Sequence, residues 1–294
     1  MATLNFFFGQ MLLQVPAHRI GFFVEMFNIK DYLLSKGFEE ITEAAMVETL
    51  INPMANSIFD IQKTKTAKPS RDFINYFNDK EVRIQIKKMV FEGITPNHPD
   101  LIDYSFECSE INQHRFAKTL ELLLAYLSVK ELKAFSASFG VKIKNAPHGG
   151  DFDCIANFRN ELIYFEAKSG NIRNIQPATI QRFLDRHSFL APQASILFLD
   201  YEGGEGSLDQ LIVQFKNKSI GSRTIEFIRK VVDGSRKFYV IESDILIVDI
   251  HNDGNILSNL RLAMQYIHRY NSFQKNLIFH LIKPEQLGYR SIVL

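Results

Sequence analysis

The stretch GGDFDCIANFRNELIYFEAKSG, residues 149–170, restricts the fold more than any other part of the chain. Its second half alternates with period two, so that a strand over residues 161–168 places Glu166 and Lys168 on one face. The FRNE that opens this strand has the composition of a turn, and the apolar segment before it is predicted to pair antiparallel with the strand. The resulting hairpin returns Asp153 to the strand end that carries Glu166 and Lys168.

Two carboxylates and an ammonium at the end of apolar strands cost several kcal/mol to bury unless they neutralise one another or hold a metal. Carboxylate and carbonyl oxygens suit a hard ion, Mg2+ or Mn2+, better than they suit zinc. The hairpin end is therefore a candidate site for one of these ions. The alternative is an ordinary hairpin with a surface Glu/Lys pair, which contributes little to stability.

The order Asp153, followed by Glu166-Ala167-Lys168 at the close of an apolar strand, resembles the PD-(D/E)xK nuclease superfamily, also called the restriction-endonuclease-like fold. Within it, GGDFDCIA followed by LIYFEAKSG is most similar to the Mrr-like and Holliday-junction-resolvase-like branches. The resemblance implies that Asp153, Glu166 and the main chain of Ala167 bind the metal. It also implies that Lys168 holds or polarises the attacking water.

The proline-aspartate that names the superfamily is absent, and the GDFD of residues 150–153 stands in its place. Asp151 and Asp153 are thus both candidate ligands, and Asp153 is preferred because it directly precedes the apolar run. Nucleotide-sugar transferases also carry a D-x-D, but theirs follows a strand, whereas this pair precedes one. The glycine-rich GGEG at residues 203–206 lacks the Lys-Ser/Thr of a phosphate-binding loop.

The longest helical pattern runs from Ser109 to Phe139, with Gly140 as its predicted end and a break near Ser128 as an alternative. Small side chains one turn away on either side of Glu121 let another group approach its carboxylate closely. The resemblance implies a helix whose glutamate joins the metal site, and Glu121 is the matching position, with Glu110 as a second choice. The alternative is an exposed glutamate on an amphipathic helix.

The elements around the hairpin predict an α/β fold. Val141–Ala146 is the predicted first core strand, a helix begins at Pro177, and the apolar Ala194–Asp200 completes a βββαβ order. We expect a restriction-endonuclease-like core, a mixed central sheet flanked by helices, with an α/β C-terminal extension. The linker composition of TPNHPD separates a mostly helical region, 1–104, from the nuclease domain, 105–294.

The flanking segments carry predictions of their own. Helices are expected over Glu39–Ile51, Thr224–Val232 and Ile256–Tyr270, and strands over Lys237–Glu242, Asp244–Ile250 and Asn276–Ile282. Two basic stretches, at residues 61–88 and 216–237, are either phosphate-tracking surfaces or ordinary solvated faces.

Polar side chains near the hairpin end predict a nucleic-acid contact. The candidate phosphate contacts are Lys142, Lys144, Arg173, Arg182 and Arg186. The Mrr-like pattern often places a glutamine on the helix beside the site, so Gln181 is the candidate catalytic amide and Gln176 a second choice; ordinary surface amides are the alternative. His148 could act as an acid or contact phosphate, although a lone loop histidine is more often incidental.

Composition limits the class of protein. The 294 residues are 46% hydrophobic with 26 Phe, enough for a substantial core, and the net charge of +1 gives no general signal for nucleic acid. The two cysteines, Cys108 and Cys154, show no zinc spacing and predict a reduced, cytosolic protein. No apolar run reaches the length of a membrane span, so no membrane partner is expected.

These patterns together predict a Mg2+- or Mn2+-dependent nuclease acting on DNA in restriction, repair or defence. An RNA nuclease of the same fold and a catalytically silent nucleic-acid-binding protein are the alternatives. A homodimer is expected because one site per chain cuts one strand of a duplex.

Overall fold

The computed structural model describes residues 29, 33–34, 37–38, 41–42, 45–46, 80–88, 113–158, 161–200, 207–216, 218–233, 236–250 and 256–282. The helices there are α1 (Lys80–Lys87), α2 (Gln113–Lys130), α3 (Pro177–Leu190), α4 (Ser207–Val213) and α5 (Ile256–Ile282). The strands are β1 (Ile41–Thr42), β2 (Ala45–Met46), β3 (Ser136–Ile143), β4 (Phe152–Phe158), β5 (Glu161–Lys168), β6 (Ala194–Leu199), β7 (Ser219–Ile220), β8 (Arg223–Thr224), β9 (Ile228–Asp233), β10 (Arg236–Ile241) and β11 (Ile245–Asp249). A 3-10 turn covers Ile172–Asn174.

Nine of these strands form one mixed sheet in the order β1-β3-β4-β5-β6-β11-β10-β9, with β2 also paired to β3. Strand β6 runs parallel to β5 and to β11, and the remaining pairs are antiparallel. Strands β7 and β8 pair separately. The α/β class with a mixed sheet flanked by helices is therefore confirmed.

Helices cover both faces of the sheet. One hydrophobic cluster joins α1, α2 and α5 to side chains such as Phe165 and Phe198. The other joins α3 and α4 to side chains such as Tyr164 and Leu197. Strand β6 is buried along its whole length, as expected of a parallel strand between two helical layers. The buried line of α3, Ile180, Phe183, Leu184 and His187, is the predicted one.

The first core strand begins earlier than predicted. Helix α2 ends at Lys130, and the chain enters β3 at Ser136, so the prediction of one helix to Phe139 is wrong in its last part. Strand β3 is buried on both faces from Ser136 to Val141 and shows no alternation of apolar and polar residues. An apolar run of this kind fits a buried strand or a helix equally well.

Three flanking predictions are also wrong. Residues 224–232 contribute to β8 and to the sheet-edge strand β9 rather than to a helix, and residues 276–282 continue α5 rather than forming a strand. Within 39–51, the described residues form β1 and β2. In each case sheet pairing or the continuation of a long helix decided the structure over the local pattern.

The alternation of side chains between the two faces of the sheet is interrupted at one position along the β3–β4 pair. Phe139 and its partner Cys154 belong to the α2 side of the sheet, whereas Val141 and its partner Phe152 belong to the α3 side. Between them lies Gly140, whose φ of 62° is accessible to glycine at little cost. Asp153, between Phe152 and Cys154, lies at this break.

Helix α1 is anchored beside the end of β6. Arg83 Nε and Lys87 Nζ each lie 3.1 Å from a carboxylate oxygen of the buried Asp200, whose N–H donates to the Lys168 carbonyl. These two members of the basic stretch 61–88 therefore pair inward, and the phosphate-tracking interpretation does not hold for them. Most of the predicted helical region 1–104 lies outside the described residues.

Among the helices that the structure describes, none combines the length and apolar character needed to cross a bilayer.

Candidate active site

The hairpin β4–β5 brings Asp153, Glu166 and Lys168 together. Its register ends with Cys154 opposite Phe165, and beyond that pair the Asp153 carboxylate accepts a 2.8 Å hydrogen bond from the Ala167 N–H. Lys168 Nζ lies 2.6 Å from Glu166 Oε1 and 3.7 Å from Asp153 Oδ2. Both predicted carboxylate ligands are thus aimed at one point.

The Lys168 ammonium already occupies a cradle of oxygens. Besides the two carboxylates, it donates to the Ala167 carbonyl at 3.1 Å. These three oxygens are the ones expected to hold a metal, so they are oriented to surround a cation. The Lys168 side chain is 29% exposed, whereas Asp153 is 13% exposed and Glu166 is almost fully buried. The lysine is therefore the most accessible member of the group.

Glu166 is held in its ionised form. The Tyr164 hydroxyl donates to Oε2, and Arg186 Nη1 lies 3.5 Å from the same oxygen. Burial by itself would raise the pKa of Glu166, but the Lys168 ammonium and the hydrogen bonds around the carboxylate hold that pKa below its usual value. Burial and the neighbouring carboxylate raise the pKa of the Tyr164 hydroxyl well above its usual value, so Tyr164 stays a donor.

The pKa values of Asp153 and Glu121 are raised, in contrast to that of Glu166. Burial, and then the negative charge of Glu166, raise the pKa of Asp153 to about 7. Burial, and then the charge of Asp153, raise the pKa of Glu121 to about 8. Glu121 is 6% exposed on α2, so the helix does bring the predicted glutamate within electrostatic range of the hairpin end.

Lys118 connects this glutamate to the loop before β4. Its ammonium lies 2.7 Å from Glu121 Oε2 and 2.8 Å from Asp151 Oδ2. Of the two aspartates considered as ligands, Asp153 therefore lies against Lys168, and Asp151 is paired with Lys118. The spacing of three residues between Lys118 and Glu121 on one helix was a readable signal of their contact, but the prediction overlooked it.

Arg186, predicted to contact the phosphate backbone, is buried and bonded within the protein rather than placed on the surface. The residue is 5% exposed, and its guanidinium donates to the carbonyls of Asp151 (2.8 Å) and Gly149 (2.5 Å). A Cβ on Gly150 would lie 2.9 Å from Arg186 Nη2, so the guanidinium would have to shift, and the φ of 74° also favours glycine at this position. The arginine joins helix α3 to the loop that leads into β4.

The other predicted phosphate contacts are placed on the surface. Lys142, at the end of β3, and Lys144, in the following turn, are exposed. Arg173, in the 3-10 turn after Lys168, and Arg182, on α3, are exposed as well.

Gln181 belongs to a different polar group from the one predicted. Its amide nitrogen donates to Asp185 Oδ1 at 2.8 Å and to the Ser219 carbonyl at 3.2 Å. The second oxygen of Asp185 lies 2.5 Å from His148 Nε2. Gln181 therefore supports the pair of His148, in the loop before β4, and Asp185, on α3. Gln176, the second choice, is exposed at the start of α3.

The charges around the hairpin end do not balance. The cluster contains the carboxyl groups of Glu121, Asp151, Asp153 and Glu166 and the cations of Lys118, Lys168 and Arg186. Burial, and then the charge of one neighbouring carboxylate in each case, raise the pKa values of Glu121 and Asp153. A further positive charge would lower the cost of burying the cluster.

The donor set fits a hard divalent ion. In the described residues no three His, Cys, Asp or Glu side chains form a metal-binding group by themselves. Two carboxylates and one main-chain carbonyl do face one point, which is the kind of set that Mg2+ completes with water and substrate oxygens. Asp153, Glu166 and Ala167 are the residues that would hold the ion, and the carboxyl group of Glu121 lies within electrostatic range on α2.

Comparisons with protein-family models, with curated proteins and with solved structures found no match for this chain.

A first prediction concerns Arg186. The substitution Arg186→Met leaves two loop carbonyls without a donor and removes a cation from the buried Glu166, so we expect the free energy of unfolding to fall by about 3 kcal/mol. The matched control is Arg182→Met on the same helix, which is exposed and should change stability by less than about 0.5 kcal/mol. Urea denaturation of both variants measures the difference, and equal losses would show that Arg186 has no anchoring role.

A second prediction concerns Glu121 and pH. Because the folded-state pKa of Glu121 is about 8 and its unfolded value is about 4.3, the folded protein holds a proton that the unfolded chain releases. The stability from that proton is complete below the unfolded pKa and is lost as pH rises through about 8. Glu121→Gln needs no proton, so we expect it to match wild type near pH 5 and to exceed it by about 2 kcal/mol near pH 9.

Thermal unfolding in chelator at a series of pH values tests this difference. The control is Glu131→Gln, because Glu131 is exposed and paired with Arg261 on the surface. A constant difference between Glu121→Gln and wild type across the range would contradict the raised pKa.

Proposed function

We propose that this chain is a metal-dependent phosphodiesterase that hydrolyses DNA, built on a restriction-endonuclease-like core. The observation that carries the proposal is the convergence of the Asp153 and Glu166 carboxylates and the Ala167 carbonyl on the Lys168 ammonium, which marks a position that suits a cation. The order of β3, β4, β5, α3 and β6 agrees with the resemblance found in the sequence.

Each residue of the site has a separate proposed role. Asp153, Glu166 and Ala167 would hold Mg2+ or Mn2+, and the ion would supply Lewis-acid chemistry to the phosphodiester and to water. Lys168 orients the attacking water and stabilises the negative charge that grows on the phosphate oxygens. Glu121, which holds its proton near neutral pH while no cation is bound, would ionise and add negative charge from the α2 side once the ion is present.

Arg186 and Tyr164 support this site through their contacts with Glu166 Oε2. They fix the rotamer of Glu166 and keep it ionised, as outer-shell partners of metal ligands commonly do. The Arg186 bonds to the loop also fix the start of β4, where Asp153 lies. Neither residue needs to reach the substrate.

DNA is the proposed substrate, held by exposed cations around the hairpin end. Lys142, Lys144, Arg173 and Arg182 are the proposed contacts to phosphate. A homodimer would place one such site on each strand of a duplex.

The test is a cleavage assay with supercoiled plasmid, linear duplex, single-stranded DNA and RNA, each with Mg2+, Mn2+ or chelator. We expect DNA to be cut with either metal and to stay intact in chelator. Cleavage of RNA alone would show that the substrate is RNA, and the proposed metal-dependent hydrolysis would still stand. Binding of DNA in a gel shift without metal-dependent cleavage of any substrate would favour the silent binding protein and end the enzyme proposal.

A further inference from the structure

Two consecutive residues of α3 hold two consecutive residues of the loop before β4. Asp185 bonds His148, and Arg186 bonds the carbonyl of Gly149. The same Arg186 lies 3.5 Å from Glu166 Oε2. The His148–Asp185 pair is therefore tied, through one guanidinium and neighbouring residues, to the carboxylate that is the proposed metal ligand.

His148 is held in a conformation that a histidine does not adopt freely. Its φ of 65° lies in the left-handed region, which costs free energy for any residue except glycine. The side chain is 44% exposed, so burial of the ring does not compensate for that cost. The bond to Asp185 and the anchoring of Gly149 by Arg186 maintain the conformation.

The imidazole also has a supported orientation. An ionised carboxylate only accepts hydrogen bonds, so the His148 Nε2–H donates to Asp185 Oδ2 at 2.5 Å. The other oxygen of Asp185 is fixed by the Gln181 amide. A ring held by a carboxylate that is itself held from behind is the arrangement by which an enzyme sets the tautomer and direction of a proton-transferring histidine. The bond to Asp185 uses only Nε2, so it does not engage Nδ1.

We propose that His148 is a catalytic residue that protonates the leaving oxygen of the phosphodiester, with Asp185 and Gln181 as its positioning residues. This inference rests on the proposed nuclease function and adds the leaving-group side of the reaction to it. The attacking water loses a proton to solvent as its oxygen forms a bond to phosphorus, and the bond from phosphorus to the leaving sugar oxygen breaks. That oxygen keeps the electron pair and takes the proton from imidazolium Nδ1, and the neutral ring recovers a proton from solvent.

The test compares two leaving groups. The bond that wild type cuts in a short duplex is mapped first, and the duplex is then made with sulfur in place of the leaving oxygen. A thiolate leaves without a proton, so a general acid matters only for the natural oxygen substrate. We expect His148→Ala to cut the natural bond about 100-fold more slowly than wild type and the sulfur-containing bond within about threefold of wild type. His148→Gln should behave in the same way, and Asp185→Asn should show a smaller loss confined to the natural bond.

Controls separate the outcomes. His268→Ala, a change of an exposed histidine on α5 at the opposite face of the sheet, should cut both substrates at the wild-type rate. Equal losses of His148→Ala and His148→Gln on both substrates would show a structural role and overturn the inference, as would no loss on either. If wild type cleaves nothing in the presence of metal, the proposed function itself fails, and the role of His148 fails with it.

Discussion

Glu166→Gln and Asp153→Asn are each expected to lower metal-dependent cleavage by about 10³-fold or more, above the 10- to 100-fold typical of outer-shell partners. Both substitutions keep the shape of the side chain and an oxygen acceptor. In Asp153→Asn the new amide oxygen can still accept the Ala167 N–H, and in Glu166→Gln it can accept from Tyr164, so the fold should survive. What is lost is the negative charge at the cation position.

The measurement pairs single-turnover cleavage with Mn2+ binding. We expect both variants to lose Mn2+ affinity along with activity, while Glu131→Gln keeps both, because Glu131 is an exposed carboxylate away from the hairpin. Normal Mn2+ affinity in either variant would remove that residue from the ligand set. Normal cleavage by both would sink the metal site as a whole.

Lys168→Met should separate catalysis from metal binding. In the structure the Lys168 ammonium uses the same three oxygens that are proposed to hold the ion, so it competes with the ion for them. Removing it should leave Mn2+ affinity unchanged or increase it. We expect cleavage to fall by about 100-fold or more, because a positive charge next to the attacking water and the phosphate oxygens is lost.

Lys168→Arg and Lys130→Ala complete the comparison. Arginine keeps the charge but not the compact ammonium, so a partial loss is expected. Lys130 is exposed at the end of α2, and its removal should have no effect on cleavage. Wild-type turnover by Lys168→Met would contradict the role given to this lysine, and a parallel loss of Mn2+ affinity would show that it supports the ligands instead.

The two sets of variants test different parts of one arrangement. Ligand substitutions should reduce binding and turnover together, whereas Lys168→Met should reduce turnover alone. If wild type and all of these variants bind DNA equally and none of them, wild type included, cleaves it, the protein is a binding module.

The hairpin and its charged end were predictable because period-two alternation is a local property. Once the strands over 153–158 and 161–168 pair through a short turn, Asp153 must return to Glu166 whatever the rest of the chain does. Helix α3 was predictable for a similar reason, since Pro177 marks its start and its apolar residues repeat at helical spacing.

Helix α2 shows where local patterns stop being informative. Residues 136–139, which the prediction placed in this helix, form the start of β3, and an apolar segment buried on both faces carries no periodic signal. Arg186 shows that local sequence also does not predict whether a charged side chain is exposed or buried. A sequence presents Arg182 and Arg186 one turn apart on one helix, but only packing against the loop places the first in solvent and the second in the interior.

The sequence by itself determined the hairpin, the α/β class and the choice of Asp153, Glu166 and Lys168 as one group, because these depend on neighbours in the chain and on strand alternation. Only the tertiary structure decided that Lys118, Tyr164 and Arg186 set the charge state of that group and that Asp185 orients His148. Lys118, Asp185 and Arg186 come from helices that are distant from the hairpin in sequence. Tyr164 lies within the hairpin, but its role depends on its burial beside Glu166. The free energy of a buried charge depends on everything packed around it.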